Sequence, residues 1–121
     1  GGEPVEERPP RRGDVAMVLH TSGTTKKPKI VPLTHENLVA GALCIRSTLQ
    51  REPSDVCLNL MPLYHIHGVA VNILVSALSG AAVVCTPGFR HPEEALRWLV
   101  AEGASWYSAV PTMHLGLAQA G

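Results

Sequence analysis

Between Val56 and Phe89 the chain carries no Lys, Arg, Asp or Glu. Such a stretch belongs either in a membrane or in the interior of an α/β protein. A spanning helix needs about 20 consecutive, predominantly apolar residues. Here Pro62, His65, His67, Asn72, Ser76, Ser79, Gly80 and Pro87 interrupt the run, and such residues break a single membrane helix. Buried strands and one buried helix fit better.

The rest of the composition narrows the class. At 121 residues the chain is one ordinary domain's worth. Ten Lys+Arg balance ten Asp+Glu, and aromatics are only 4%. A nucleic-acid binder wants a basic excess and stacking platforms, and both are missing. Cys44, Cys57 and Cys85 form no CxxC pair, so free, buried thiols in a reducing compartment are expected rather than a disulfide framework or a Cys-rich zinc site. The first residue is Gly1 rather than Met and no basic-then-apolar leader follows it, as in an excerpt or a processed product.

Residues 1–14, with Arg8-Pro9-Pro10-Arg11-Arg12-Gly13, have the composition of a linker. Val15–Leu19 predicts a buried strand and Ile30–Leu33 a second, short one, closing a hairpin-like excursion. Thr34 is a good N-cap for a helix from His35 to about Gln50, with Leu38, Ala42, Ile45 and Leu49 as its buried stripe. Further strands are predicted over Val56–Met61, Ala82–Cys85 and Ser105–Val110. Helices are predicted over Gly68–Leu78, from Pro92 to about Glu102, and from Pro111 onward. Strands alternating with helices predict an α/β layer on parallel strands, which needs cover on both faces. The few helices here leave that cover partial.

The sharpest chemistry lies in Thr21-Ser22-Gly23-Thr24-Thr25-Lys26-Lys27-Pro28-Lys29. Hydroxyls and backbone N–H groups donate to phosphate oxygens, Lys neutralises their charge, and Gly23 lets the backbone approach. By chemistry alone this is either a phosphate cradle or a solvated hairpin loop. It is no Walker A loop, because Pro28 falls where that motif has its second Gly. Gly-x-Ser-x-Gly is absent as well.

Thr21–Lys29, followed by Val31-Pro32-Leu33-Thr34-His35-Glu36-Asn37-Leu38, resembles the signature of the adenylate-forming, or AMP-binding, superfamily. Met61-Pro62-Leu63-Tyr64-His65-Ile66-His67-Gly68 resembles a second block of that family, and Ala109-Val110-Pro111-Thr112 a third. Their order and intervals agree, so the resemblance covers nearly everything after Asp14. It implies an α/β fold class: a partial parallel-sheet layer with flanking helices, part of the family's large N-terminal domain, here residues 15–121. It also implies an acyl-CoA synthetase chemistry. A carboxylate attacks the α-phosphate of ATP, and a thiol, usually of coenzyme A, then takes the acyl group. The implied partners are a small carboxylic acid, ATP and coenzyme A, with Mg²⁺.

The resemblance assigns Thr21, Ser22, Gly23, Thr24, Thr25 and Lys29 to the ATP phosphate loop. His65 becomes the catalytic candidate beside the acyl pocket, with His67 and Gly68 as substrate-binding neighbours. His67 stands where 4-coumarate–CoA ligases carry an aromatic residue. The Leu-His-Thr-Ser-Gly opening, the His-Ile-His-Gly block and Trp106–Thr112 look most like the oxalate–CoA ligase branch. A cytoplasmic or peroxisomal location is implied, and not secretion.

Two positions depart from the family pattern: Lys26 and Ile30 stand where it usually has Gly. A positive φ at either would be strained. His65 and His67 are two apart, so an extended segment would point both one way and permit a metal pair, although no Glu, Asp or Cys nearby completes a zinc set. His20, His35, His91 and His114 are expected to be structural or exposed. The family's adenine- and ribose-binding motifs, its Mg²⁺-holding Glu and its adenylation Lys have no counterpart here. The expectation is therefore a ligase fragment, inactive alone. The alternative is a non-catalytic, truncated product that binds a nucleotide or a partner.

Overall fold

The computed structural model describes residues 8–21 and 28–121. Two compact units, Gly1–Asn37 and Leu38–Gly121, are described separately.

In the first unit, β1 (Val15–Thr21) and β2 (Lys29–Thr34) form an antiparallel hairpin. Its register pairs His20 with Ile30 and Thr21 with Lys29, and slips once between Val15 and Met17. Ile30 thus sits in extended backbone, where a β-branched side chain is at ease, and the expected strain at Ile30 does not arise. Lys26 lies outside the described residues. Ahead of β1, the Arg8 guanidinium grips the Asp14 carboxylate at 2.7 and 3.1 Å. The Arg11 N–H adds a bond of 2.9 Å. Together these donors pull the Asp14 carboxyl down to about 2. The Asp14 carbonyl accepts the His35 N–H, tying the lead-in to the start of the next helix.

That helix, α1 (His35–Leu49), opens on a reciprocal cap. The Asn37 N–H donates to Thr34 Oγ1 and the Thr34 N–H donates to Asn37 Oδ1, each at 3.2 Å. This is a capping box with Asn in the third helical position. The predicted buried stripe is only partly closed. Ala42 is fully buried, Leu38 and Ile45 are half-buried, and Leu49 is exposed.

The second unit is built on a parallel sheet of order β4–β3–β5. β3 is Val56–Asn59, β4 Ala82–Cys85 and β5 Trp106–Tyr107. The two-residue period of the central strand explains its double burial. Leu58 joins Leu60, Ala95 and Leu117 in the core under α3 (Pro92–Ala101) and α4 (Pro111–Ala120), with Val84, Phe89 and Tyr107 packed around it. Cys57 and Asn59 face the other way, toward the helical run that follows β3; Asn59 bonds Asn72 there. Of the three thiols expected to be buried only Cys57 is, and Cys44 and Cys85 are exposed; burial pushes the Cys57 thiol up to about 11.

Three predicted bounds shift. β3 stops at Asn59 because its Oδ1 captures the Met61 N–H at 3.2 Å, and Pro62 has no N–H to continue a ladder. β5 shrinks to two residues, since Ser108 is engaged outside the sheet. The predicted helix over Gly68–Leu78 is instead a π-helix, His67–Leu74, running into a short α-helix, α2 (Val75–Ser79). Gly80 ends it at φ 70° and returns its N–H to the preceding turn. No helix among the described residues is long and apolar enough to cross a membrane.

Candidate functional site

In an open parallel sheet, ligands bind outside the carboxyl ends of the strands, where the winding direction reverses. The chain runs from β3 out to β4 and then back across to β5, so the reversal lies between β3 and β5. A polar cluster occupies that place. Asn72, fully buried, donates from Nδ2 to Asn59 Oδ1 at 2.7 Å and to the Ser108 carbonyl at 3.2 Å. Ser108 Oγ lies 2.8 Å from His67 Nε2. In the sequence Asn72 is only an interruption of the apolar run. Its spacing from His67 carried a signal only on a helix wider than the α-form.

His67 and His65 part company. The segment is not extended: His65 sits in a turn, its N–H bonded to the Pro62 carbonyl, and His67 begins the π-helix. The His65 side chain is exposed against the Tyr64 ring, with centroids 4.9 Å apart. His67 is half-buried and turned to Ser108. The extended geometry that would have paired them on a metal is therefore not formed. Among the described residues no three His, Cys, Asp or Glu gather to hold an ion. His114 is structural, with Nδ1 3.1 Å from the Tyr107 hydroxyl and Nε2 3.1 Å from the Ala109 carbonyl.

Gly68 has a packing reason. A Cβ there would stand 2.6 Å from the Pro62 carbonyl oxygen and 3.1 Å from that of Met61. Beside this turn lies an open cleft of about 510 Å³ between the ends of β3 and β4. Met61, Pro62 and Tyr64 line one side and Thr86, Gly88 and Arg90 the other. Neither His65 nor His67 lines it.

Burial, and secondarily the nearby His114, pushes the His67 imidazole below its ordinary 6.5. His67 acts here as an uncharged hydrogen-bonding ring near neutrality. A depressed folded-state value means that the unfolded chain binds the extra proton. The stabilisation is complete above about pH 6.5 and is lost as the pH falls through the folded value. Urea melts of wild type and His67→Gln at pH 7.5 and pH 5 should show a larger loss on acidification in the wild type. Equal losses would contradict this.

In the first unit, Thr21 and Lys29 form the closing pair of the hairpin. They put a hydroxyl and an ammonium at the mouth of the intervening loop. Ser22, Gly23, Thr24 and Thr25 lie outside the described residues.

A model of the family described as "AMP-binding enzyme" matches residues 2–121. The chain belongs to the AMP-binding enzyme family. It is 41% identical over 103 residues to a probable CoA ligase, CCL9, of Humulus lupulus, covering 84% of this chain and 19% of that one. It is 40% identical over 105 residues to the oxalate–CoA ligase of Saccharomyces cerevisiae, covering 87% of this chain and 19% of that one. Among solved structures it is similar to o-succinylbenzoate–CoA synthetase (MenE) of Bacillus subtilis in complex with ATP and magnesium ion. The TM-score is 0.83 at 30% identity, over 91% of this chain and 23% of that one. This AMP-binding segment thus spans about a fifth of the length of the relatives it matches. The α/β class, the parallel sheet and the family predicted from three sequence blocks all hold.

Proposed function

We propose that residues 15–121 are the part of an AMP-forming acid–thiol ligase that supplies the ATP phosphate loop and one wall of the acyl pocket. In that reaction a carboxylate oxygen attacks the α-phosphorus, forming the acyl-adenylate and expelling pyrophosphate. The thiol of coenzyme A then attacks the acyl carbon, giving a thioester and AMP. Thr21, Ser22, Gly23, Thr24, Thr25 and Lys29 hold the phosphates by hydroxyl, backbone N–H and ammonium donors. His65 lies by the reacting carboxylate, and His67 and Gly68 border the acyl group. Oxalate is the favoured acid, on the likeness to the yeast enzyme. The observation that carries the reading is the pairing of Thr21 with Lys29 across the hairpin, which sets a hydroxyl and an ammonium at the two ends of one loop.

Among the described residues no three His, Cys, Asp or Glu gather on one point, and Mg²⁺ in such a reaction would be held largely by phosphate oxygens and water. Val15, Val18 and Ile30 are more than half exposed on the hairpin. They fit a surface that the rest of the ligase, or a partner, covers. Three free thiols suit a reducing compartment, cytoplasmic or peroxisomal.

Titrating ATP into the ¹⁵N-labelled chain should move the Thr21 and Lys29 amide signals. Lys29→Ala should weaken binding about tenfold or more, the worth of one charge-assisted hydrogen bond. Unmoved signals at millimolar ATP would overturn the phosphate-loop assignment. Carboxylate-dependent ATP–pyrophosphate exchange by the 121-residue chain alone would overturn the assignment of an incomplete active site.

A further inference from the structure

Two costs are concentrated on one residue, Ser108. The first is the π-helix, a rare form whose poorer geometry is tolerated mostly at functional positions. Its bonds join residues five apart, so His67 and Asn72 stack one turn above the other. On an α-helix, residues five apart diverge by well over a right angle, since each step turns about 100°. The widened turn lets both side chains reach the same partner: His67 Nε2 meets the Ser108 hydroxyl and Asn72 Nδ2 meets the Ser108 carbonyl.

The second cost is an orphaned atom. Asn72 Oδ1 is buried with no partner among the described residues, and an unpaired buried acceptor is expensive. Both hydrogens of that amide are nevertheless spent, on Asn59 and Ser108. A residue selected only for stability would be apolar at a fully buried position such as this one.

We propose that Ser108 is the positioning residue of His67, held in place by Asn72 across the π-helical turn, so that the His67 ring offers Nδ1 in one fixed orientation to the acyl group. The role rests on the reading of His67 as an acyl-pocket residue. The fixed ring itself does not. Asn72 anchors the Ser108 backbone to the end of β3 through Asn59. Ser108 then occupies Nε2, leaving Nδ1 as the ring nitrogen with no partner among the described residues. Which nitrogen faces outward, and at what angle, is set by the partner of the other.

The test is ¹⁵N spectroscopy of the imidazole nitrogens in the full 121-residue chain at pH 8, with His20, His35 and His91 as internal references. Ser108→Ala should move the His67 Nε2 resonance and leave the three references in place, and Ser108→Thr, which keeps the hydroxyl, should restore it. Asn72→Ala should move the same resonance without touching either bonded atom. Should Ser108→Ala or Asn72→Ala fail to fold, the wild-type spectrum decides. A ring held as proposed gives two sharp, widely separated nitrogen signals, whereas signals averaged between tautomers overturn it. An unmoved His67 in Ser108→Ala, or no recovery in Ser108→Thr, overturns it equally. Because no nucleotide or acid is added, this result is independent of whether the chain handles ATP.

Discussion

Gly68→Ala is expected to destabilise the second unit by about 2 kcal/mol, within the range for overpacking a tight site. Alanine normally stabilises a helical position relative to glycine by up to about 1 kcal/mol. Here the new methyl would meet the Pro62 carbonyl oxygen at 2.6 Å. That atom cannot rotate away, because the Pro62 carbonyl also accepts the His65 N–H at 3.2 Å. Relief requires the Pro62–His65 turn to open. Gly116→Ala on α4 supplies the contrast: the nearest atoms to its Cβ would be side-chain carbons of Phe89 and Pro92, each at 3.4 Å. It should cost little or nothing. Thermal melts of the two variants check this, and equal midpoints would refute the packing role of Gly68.

The second large effect is expected at Leu58→Ala, about 3 kcal/mol for the lost contacts and the cavity left behind. Leu58 is fully buried at the centre of the sheet, with Leu60, Ala95 and Leu117 around it. For a unit of this size 1 kcal/mol moves the midpoint by about 4 °C or more, so a drop of about 12 °C is expected. Val100→Ala, at a side chain 84% exposed on α3, should stay within about 0.5 kcal/mol of wild type. A Leu58→Ala midpoint within about 4 °C of wild type, roughly 1 kcal/mol or less, would place the core elsewhere.

Local chemistry made much of the fold legible. Thr34 announced α1, Pro92 and Pro111 opened α3 and α4, and Gly80 closed α2, because caps and fixed φ angles act within a few residues. Strand ends were less legible. β3 is cut short by a side-chain bond from Asn59 to the backbone two residues on, and apolar Leu60 and Met61 gave no sign of it.

The candidate site was half visible. The block around His65–Gly68 was found by resemblance, but the partners of His67 were not. Ser108 is 41 residues away, and no periodicity joins them. The π-helix was invisible for a related reason: an apolar run suits α- and π-windings alike, and the choice is made by what Asn72 and His67 must reach. Two bland expectations also changed. The spacing of His65 and His67 meant a shared face only in a strand, and the strain feared at Ile30 vanished once it was paired in one.

The buried Cys57 has a consequence for chemical self-protection. It lies two residues before Asn59 on the same face of β3, fully enclosed, with its thiol held up at about 11. A thiolate is the nucleophile, and this one is almost never formed at neutral pH. In the proposed ligase, where a mixed anhydride would await an incoming thiol, a resident thiolate beside the site would divert the product onto the enzyme. Enclosed on the face of β3 that carries Asn59, Cys57 would be chemically silent toward such a product.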